Sequence, residues 1–341
     1  MVDTHTDASP GTRHRDLELD AVKGFLVLAM AVYHSMNYFA AVPAEVYGYL
    51  RFVNGSFVFI SGYAVAAFHA GDSGSERMAA VRRLMHRGAK LLALFTALNL
   101  AVNAAGMTNY RHVSFDLANY WQDAAAIYGA GDAPGIAFRI LMPIAYVLML
   151  SGLYQVLPRL QALLIAVTLG AALLYMVAWP AAPNLFFVLT GLSGLSIGLL
   201  MRQWQVDLRA SRVTQPVAIA AGFIALASVM NPLSGNVLAY AIGIALLLKL
   251  VYDGMALLVR QGATSRLLVL LGRYSLAGYI GQIGFLFLLH RAWREASMPA
   301  ELAWPLSLAA TCAFLVAGCV LLEALRRRSA IVEKTYRMVF T

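Results

Sequence analysis

The stretch VKGFLVLAMAVYHSMNYFAAV, from Val22 to Val42, decides the class of the fold. It is almost wholly apolar, and a helix of about 20 such residues crosses the hydrocarbon core of a bilayer. Comparable apolar runs recur along the 341-residue chain, of which 60% is hydrophobic and only 13% is charged. A soluble surface needs roughly twice that charge. The composition therefore excludes a soluble domain, and it also excludes a disordered chain.

The hydropathy pattern predicts an all-α fold, a polytopic integral membrane protein with about ten transmembrane helices. Residues 1–14 are predicted to be a flexible cytoplasmic tail, 15–328 the membrane domain and 329–341 a second cytoplasmic tail. The predicted spans are 22–42, 47–69, 84–105, 136–157, 160–179, 184–201, 216–231, 236–259, 267–290 and 302–325. The long apolar runs disfavour a single-chain outer-membrane barrel, because the strands of such a barrel are short and alternate in polarity.

The basic residues predict the orientation of the chain. With the N-terminus inside, nineteen of the 26 Lys and Arg residues fall in cytoplasmic segments, and three fall outside: Arg111, Arg291 and Arg294. Cytoplasmic loops of membrane proteins carry such an excess of positive charge. Both termini are therefore predicted to be cytoplasmic, with the chain in the inner membrane. The net charge of +9 is then explained without a nucleic-acid partner.

Two ionisable residues stand out in the first predicted span, Lys23 and His34. Eleven residues at about 1.5 Å per residue place His34 roughly 16 Å deeper than Lys23, about halfway across the bilayer. Ionisable groups at that depth are costly and usually functional. An imidazole there is either a general base, a transient nucleophile or a hydrogen-bonding group that joins two helices.

Polar residues also interrupt the second predicted span. Arg51 and Asn54 lie near its outer end, and Ser61, Gly62 and Tyr63 lie further along. Arg51 either extends toward lipid headgroups or faces inward, where it would bind a carboxylate or stabilise an oxyanion. A Ser-Gly pair in an apolar helix usually indicates close packing against another helix.

The third predicted span begins with a basic face. Arg83, Arg87 and Lys90 fall on one side of a helix by their i, i+4, i+7 spacing. Their partner is either an anionic lipid headgroup or a phosphate-rich soluble ligand that enters from the cytoplasm. Deeper in the span, Asn99 and Asn103 share a face, where they either bridge helices or line a polar cavity.

Two further segments carry polar or aromatic residues suited to binding. In the ninth span, Tyr279 and Gln282 are three residues apart and follow Arg273, so a polar stripe enters the bilayer. The long outer loop 106–135 carries Trp121 among several tyrosines and aspartates. Aromatic and acidic side chains together suit a sugar, although an amphipathic helix at the headgroup level has the same composition.

Four segments, in order along the chain, share features with one enzyme family. They are RDLELDAVKGFLVLAMAVYH (Arg15–His34), SFVFISGY (Ser56–Tyr63), RRLMHRGAKLL (82–92) and LGRYSLAGYIGQ (Leu271–Gln282). They resemble the membrane acyltransferase family three, whose mark is a basic residue, ten residues and then a histidine. Within it, they look most like the osmoregulated periplasmic glucan succinyltransferase branch. Many members have a histidine where Gln282 stands.

The resemblance implies that an acetyl or succinyl group passes from cytoplasmic acyl-CoA to a hydroxyl of an extracytoplasmic glycan or glycolipid. It implies His34 as the base or acyl carrier and no metal. The residues expected to assist catalysis are Arg51, Asn54 and Tyr63. Those expected to bind acyl-CoA are Lys23, Arg83, Arg87, Lys90 and Arg273. Those expected to bind the acceptor are Ser61, Tyr279, Gln282 and Trp121.

Two other classes of protein stay open on the sequence. A proton-coupled secondary transporter or lipid flippase would use His34, Lys249 and Asp253 as a proton relay. Lys249 and Asp253 are four residues apart, so they also suit a simple ion pair. The third class is a structural subunit of a glycan-export complex. Release of CoA by the purified protein would separate the enzyme from both. The sequence has no phosphate-binding P-loop, nucleophile elbow or metalloprotease motif.

Overall fold

A computed structural model describes residues 16–40, 50, 52–68, 74–104, 124–131, 136–178, 182–205, 216–220, 222, 236–259 and 262–340. All regular secondary structure in these ranges is helical, and no strand occurs in them. The all-α class predicted from the sequence is confirmed. Most of the predicted seventh span and of the 106–135 loop lies outside the described residues.

Eleven α-helices are labelled here in chain order. They are α1 (Leu17–Phe39), α2 (Phe52–Phe68), α3 (Gly74–Ala104), α4 (Leu141–Val156), α5 (Gln161–Ala178), α6 (Pro183–Gln203), α7 (Val237–Val259), α8 (Ala263–Arg273), α9 (Ser275–Glu295), α10 (Ala300–Arg328) and α11 (Ala330–Phe340). A π-helical turn, Ala125–Ala130, precedes α4, and a short 3₁₀ turn, Pro158–Leu160, joins α4 to α5.

Five segments of the described chain are long and apolar enough to cross a membrane: Leu17–Phe39, Pro158–Tyr175, Pro183–Gln203, Val237–Val259 and Glu301–Arg328. The shorter helices α2 and α4 are also apolar. Many leucines on the outside of α5 and α10 are exposed, as expected for helices whose outer faces contact lipid rather than water. The described chain is therefore an α-helical protein built to lie in a bilayer.

The predicted ninth span, 267–290, is wrong as a single helix. The chain breaks at Tyr274, where α8 ends and α9 begins. Tyr274 leaves the helical conformation there, with φ −104° and ψ 20°. Just before this break, Gly272 of α8 lies directly against Gly24 of α1, so the two helices touch at one close crossing.

Beyond this break, α9 continues along α1. Gly278 lies beside Val27, and His290 lies beside Tyr38 and Phe39, so α9 runs parallel to α1. The apolar pattern of the sequence does not reveal the break, because apolar residues continue on both sides of Tyr274.

The glycines of α2 and α6 allow those helices to touch backbone to backbone. A Cβ added to Gly62 would lie 1.9 Å from the carbonyl oxygen of Gly191. One added to Gly194 would lie 2.4 Å from the carbonyl oxygen of Phe59. The close packing predicted from Ser61-Gly62 is confirmed. Alanine at either glycine would force the two helices apart.

The main core lies where α1, α2, α3, α4, α6 and α9 meet. Its buried members include Met30, Val58, Phe95, Leu195 and Ile283. Two tyrosines, Tyr33 and Tyr279, belong to the same cluster. Because these two tyrosines also contact the first-span histidine, the core forms the wall of the site described next.

The C-terminal segment is an ordered helix packed on α10. Arg326 donates to a carboxylate oxygen of Glu333 at 2.6 Å, and its guanidinium lies 4.0 Å from the centre of the Tyr336 ring. Arg337 pairs with the same glutamate. The hydrogen bond from Arg326, supported by Arg337, lowers the pKa of the Glu333 carboxyl from its ordinary 4.5 to about 2. The tail predicted at 329–341 is therefore held by both charge and aromatic contact.

Candidate active site

His34 lies well inside α1, whose start is fixed by Asp16. The Asp16 carboxylate accepts from the Leu19 N–H at 2.8 Å and so caps the helix. The imidazole packs between two tyrosines, with its ring centre 5.1 Å from that of Tyr33 and 6.2 Å from that of Tyr279. Its Nε2 atom is buried and has no hydrogen-bond partner among the described residues.

Gln282 on α9, one turn beyond Tyr279, also has buried polar atoms without a hydrogen-bond partner. Its side chain is fully buried, and neither its amide nitrogen nor its oxygen has a partner in the described part of the chain. The hydroxyls of Ser35 on α1 and Ser56 on α2 are also buried without a partner there. An unsatisfied buried polar group costs about 1–3 kcal/mol. A catalytic role or a bound polar ligand is one explanation for such groups in a native protein.

Phe138 is a site residue that the sequence does not reveal. It adopts a left-handed backbone conformation, with a φ of 55°, which is rare for a bulky residue. Its buried ring meets the Tyr279 ring edge to face, at 6.1 Å between centres. Tyr279 is thus held between Phe138 and His34. Strained backbone of this kind often occurs at functional sites.

Asn99 on α3 holds the strained segment in place. Its amide oxygen accepts from the Ala137 N–H at 2.8 Å, and its amide nitrogen donates to the Ala137 carbonyl at 3.2 Å. Both backbone groups of the residue before Phe138 are therefore tied to one buried side chain. Of the two alternatives left open for Asn99, the structure shows the helix bridge. The side chain of Asn103 lies outside the described residues.

An aromatic cluster lies one turn beyond His34. Tyr38, four residues after it, meets His290 of α9 at 5.9 Å between ring centres, and Phe39 meets the same imidazole at 5.7 Å. These half-buried rings are at the end of α1 opposite its Asp16 cap. They extend the aromatic wall from His34 toward the surface. The sequence pattern did not single them out, because aromatic residues are common at membrane interfaces.

The second-span residues have mixed placements. The Ser61 hydroxyl donates to the Phe57 carbonyl of its own helix at 2.8 Å, so its hydrogen bond is local. Tyr63 packs against α6 beside Gly198. Asn54 is half-buried on α2. Arg51 and Trp121, also predicted as site residues, lie outside the described residues.

The basic residues expected to bind acyl-CoA fall into separate groups. Arg83 and Arg87 are exposed and Lys90 is half-buried on one face of α3, and none of them pairs with an acid in the described ranges. Lys23 pairs with Asp20 at 3.6 Å within α1. Arg273 lies elsewhere, at the end of α8, 3.3 Å from a carboxylate oxygen of Glu323 on α10.

Lys249 and Asp253 form an ion pair with each other on α7. This is the simple ion pair that their four-residue spacing predicts, as opposed to part of a proton relay. His34 instead has aromatic neighbours on α1 and α9. A proton relay through these three residues therefore has no support from the contacts of the described chain. No group of three or more His, Cys, Asp or Glu residues that would hold a metal ion occurs in the described part of the chain.

Comparison with known families agrees with this arrangement. A family model described as an acyltransferase domain, that of acyltransferase family three, matches residues 16–324. No curated protein and no solved structure matches the chain. The match covers most of the sequence and includes every described element of the site. The chain belongs to this acyltransferase family and is a multi-pass membrane acyltransferase.

Proposed function

We propose that this acyltransferase moves an acetyl or succinyl group from cytoplasmic acyl-CoA to a hydroxyl of an extracytoplasmic glycan or glycolipid. One observation supports the proposal most strongly. A buried imidazole nitrogen and a buried carboxamide, on helices that pack together, lack partners among the described residues. Acyl transfer needs a group that accepts the hydroxyl proton and donors that stabilise the oxyanion. His34 and Gln282 supply groups of these two kinds.

In the direct mechanism, His34 Nε2 takes the proton of the acceptor hydroxyl while that oxygen attacks the thioester carbonyl. The new C–O bond forms a tetrahedral intermediate, and its collapse breaks the C–S bond. The departing CoA thiolate then takes the proton from the imidazolium, so His34 returns to its neutral form. In the two-step alternative, Nε2 itself attacks the thioester, releases CoA and carries the acyl group to the acceptor.

The developing oxyanion needs hydrogen-bond donors close to His34. The Gln282 amide and the Tyr279 hydroxyl are the best placed, because Tyr279 contacts the imidazole and Gln282 follows it by one turn. Arg51, Asn54 and Tyr63 are proposed to assist from α2 and its approach. Phe138 and Asn99 act indirectly, since they fix the position of Tyr279 rather than touch the reacting atoms.

We place the donor on the basic face of α3. CoA carries a phosphate-rich adenosine end that Arg83, Arg87 and Lys90 would hold, with Lys23 near the start of α1. Its pantetheine arm would carry the thioester inward over a distance of about 15 Å to His34. Arg273 is assigned to acyl-CoA by the family resemblance, but it lies in a different cluster.

The donor site requires a cytoplasmic start of α1. We propose ten spans with both termini in the cytoplasm, on the positive-inside distribution of basic residues. A cysteine at position 75 should react with an impermeant reagent only after the cells are opened, whereas one at position 120 should react from outside. The reverse labelling pattern would contradict this orientation.

The acceptor would approach from the opposite side. The aromatic cluster of Tyr38, Phe39 and His290 would stack on a sugar ring and present its hydroxyl to His34 one turn below. Trp121 in the outer loop and Ser61 on α2 are proposed as further acceptor contacts. Aromatic rings suit a pyranose because its face is apolar while its edge carries hydroxyls.

The acyl group and the acceptor are identified together by mass spectrometry of envelope glycans from cells with and without this protein. We expect one class of glycan to lose a mass equal to one acetyl or one succinyl group when the protein is absent. Identical glycan masses in the two cell types would contradict the proposed acceptor.

The donor site is tested by neutralising α3. The triple variant Arg83→Gln, Arg87→Gln and Lys90→Gln should raise the KM for acyl-CoA by about tenfold or more, with the acceptor KM unchanged. Charge-assisted contacts to phosphate are strong, but solvent screens them on an exposed helix. Arg291→Gln on α9 is the matched control. An unchanged donor KM in a folded triple variant would assign this face to lipid headgroups instead.

A further inference from the structure

A groove of about 860 Å³ lies at the end of the bundle where α1 begins. It is bounded by the end of α7, by α8 and by the last two turns of α10. Its walls are largely apolar, with Leu17, Val259 and Val320 among the lining residues. It is separate from the His34 site, which lies deeper along α1. The acyl-transfer mechanism makes no use of it.

The charged residues that line the groove are almost all basic. They are Arg266, Arg273, Arg327, Arg328 and a single acid, Glu323. Glu323 is already shared, since it accepts from Arg273 at 3.3 Å and from Arg327 at 2.7 Å. Four guanidinium groups therefore face one carboxylate, which leaves the groove strongly positive.

Two of these arginines have no acid to bind, since Arg266 and Arg328 form no ion pair within the described part of the chain. Guanidinium groups in this state bind phosphate well, because their planar fork matches two phosphate oxygens at once.

The surroundings of the groove indicate what carries the phosphate. The outer face of α10 is apolar and exposed beside it, at Val320, Leu321 and Leu325. Leu17 of α1 and Leu267 of α8 are also exposed there. In a helix long enough to span the bilayer, such a face contacts acyl chains. A ligand of the groove thus meets positive charge at one end and lipid-facing leucines at the other.

We propose that this groove binds the phosphate headgroup of an anionic phospholipid, whose acyl chains lie along the outer face of α10. Basic pockets between membrane helices on the cytoplasmic side suit such headgroups. With the proposed orientation, the lipid belongs to the cytoplasmic leaflet. The inference depends on membrane embedding and is independent of acyl transfer, because α3, which carries the proposed donor face, packs on α4, whereas the groove is lined by α1, α7, α8 and α10.

The test is native mass spectrometry of the full chain in detergent with equal amounts of phosphatidylglycerol and phosphatidylcholine of identical acyl chains. Wild-type protein should retain phosphatidylglycerol in preference. The double variant Arg266→Gln/Arg328→Gln should retain it about tenfold or more weakly, while phosphatidylcholine binding stays the same. Neither arginine has an ion pair in the described chain, so the variant should fold. The single variant Arg266→Gln should lose part of its phosphatidylglycerol retention. It replaces the double variant in this test if the double variant does not fold.

The matched control is Arg291→Gln/Arg294→Gln, which removes the same charge at the far end of α9. It should retain phosphatidylglycerol like the wild type. Equal retention of the two lipids by wild-type protein would overturn the proposal, and so would an equal loss in the control variant.

A competition experiment distinguishes a lipid headgroup from a soluble phosphate compound as the ligand of the groove. Free CoA and adenosine 3′,5′-bisphosphate should leave the bound phosphatidylglycerol in place. Displacement by either compound would show that the groove takes a soluble phosphate ligand and would overturn the lipid assignment. No acyl donor turns over in these measurements, so their outcome is distinct from that of the acyl-transfer proposal.

Discussion

Two polar regions of the molecule differ in how completely their hydrogen bonds are satisfied. Around Glu323, where α8, α10 and α11 meet, one carboxylate accepts from Arg273, Tyr274 and Arg327. Around His34, where α1 meets α9, the imidazole Nε2 and the whole Gln282 amide lack partners in the described ranges.

This difference in hydrogen bonding distinguishes polar groups that stabilise the fold from polar groups that serve function. Polar groups that satisfy one another hold helices together, and their loss destabilises the fold. Polar groups buried without partners weaken the fold, and they are retained where a ligand supplies the missing bonds. The Arg273 Nε atom is the exception within the first region, since it is buried without a partner among the described residues.

The largest effect is expected at His34. The variant His34→Ala should reduce turnover by about 10²–10⁴-fold if the imidazole is a general base, and by more if it carries the acyl group. The protein should still fold, because the described chain shows no hydrogen bond to Nε2 that would be lost. The measurement is acylated product formed per minute by purified protein.

Lys23→Ala is the control for this variant. Lys23 lies eleven residues before His34, too far to touch the reacting atoms, so its loss should affect the chemical step less. A folded His34→Ala protein with near-normal turnover would contradict the catalytic role of the region around His34.

In the region around Glu323, where the carboxylate has its partners, a substitution should lower stability rather than turnover. Glu323→Gln removes the charge that two arginines share, and we expect the free energy of unfolding to fall by about 1–3 kcal/mol, because both arginines are partly exposed. Turnover at a temperature where the variant is folded should stay near the wild-type value. Thermal unfolding in detergent measures the first quantity, and a turnover loss as large as that of His34→Ala would contradict the distinction.

A smaller effect is expected at α11, whose docking on α10 should weaken at low pH. The pKa of Glu333 is lowered to about 2 in the fold, chiefly by its hydrogen bond from Arg326. Because the folded pKa lies below the ordinary value, the docking contribution is complete above about pH 4.5 and is lost as the pH falls toward 2. Hydrogen exchange of the α11 amides, relative to those of α10, should therefore increase between pH 4.5 and 3.

The variant Glu333→Gln provides the control, since it cannot titrate there. Its α11 amides should exchange faster than those of the wild type at pH 6 and show no further relative change on acidification. A wild-type protein whose α11 stays equally protected down to pH 3 would show that aromatic contacts alone hold this helix.

Much of this contrast was visible in the sequence, and part of it was not. The depth of His34 follows from counting residues along one apolar helix, and the close packing of α2 follows from Gly62. The break between α8 and α9 at Tyr274 does not, because apolar residues continue on both sides of it. Phe138 is also hidden, since the hydrogen bonds that fix its backbone come from Asn99, 38 residues before Ala137.

We expect that the polar groups beside His34, which lack partners among the described residues, serve the reaction and not the fold. The most direct test is thiol release from acyl-CoA, with acceptor present, by Gln282→Met, which keeps the volume of the side chain and removes its polar atoms. The variant should be at least as thermally stable as the wild type, because an unsatisfied buried amide is gone, and its turnover should be about 10²-fold lower. Thiol release at the wild-type rate, or a clear loss of stability, would contradict this expectation.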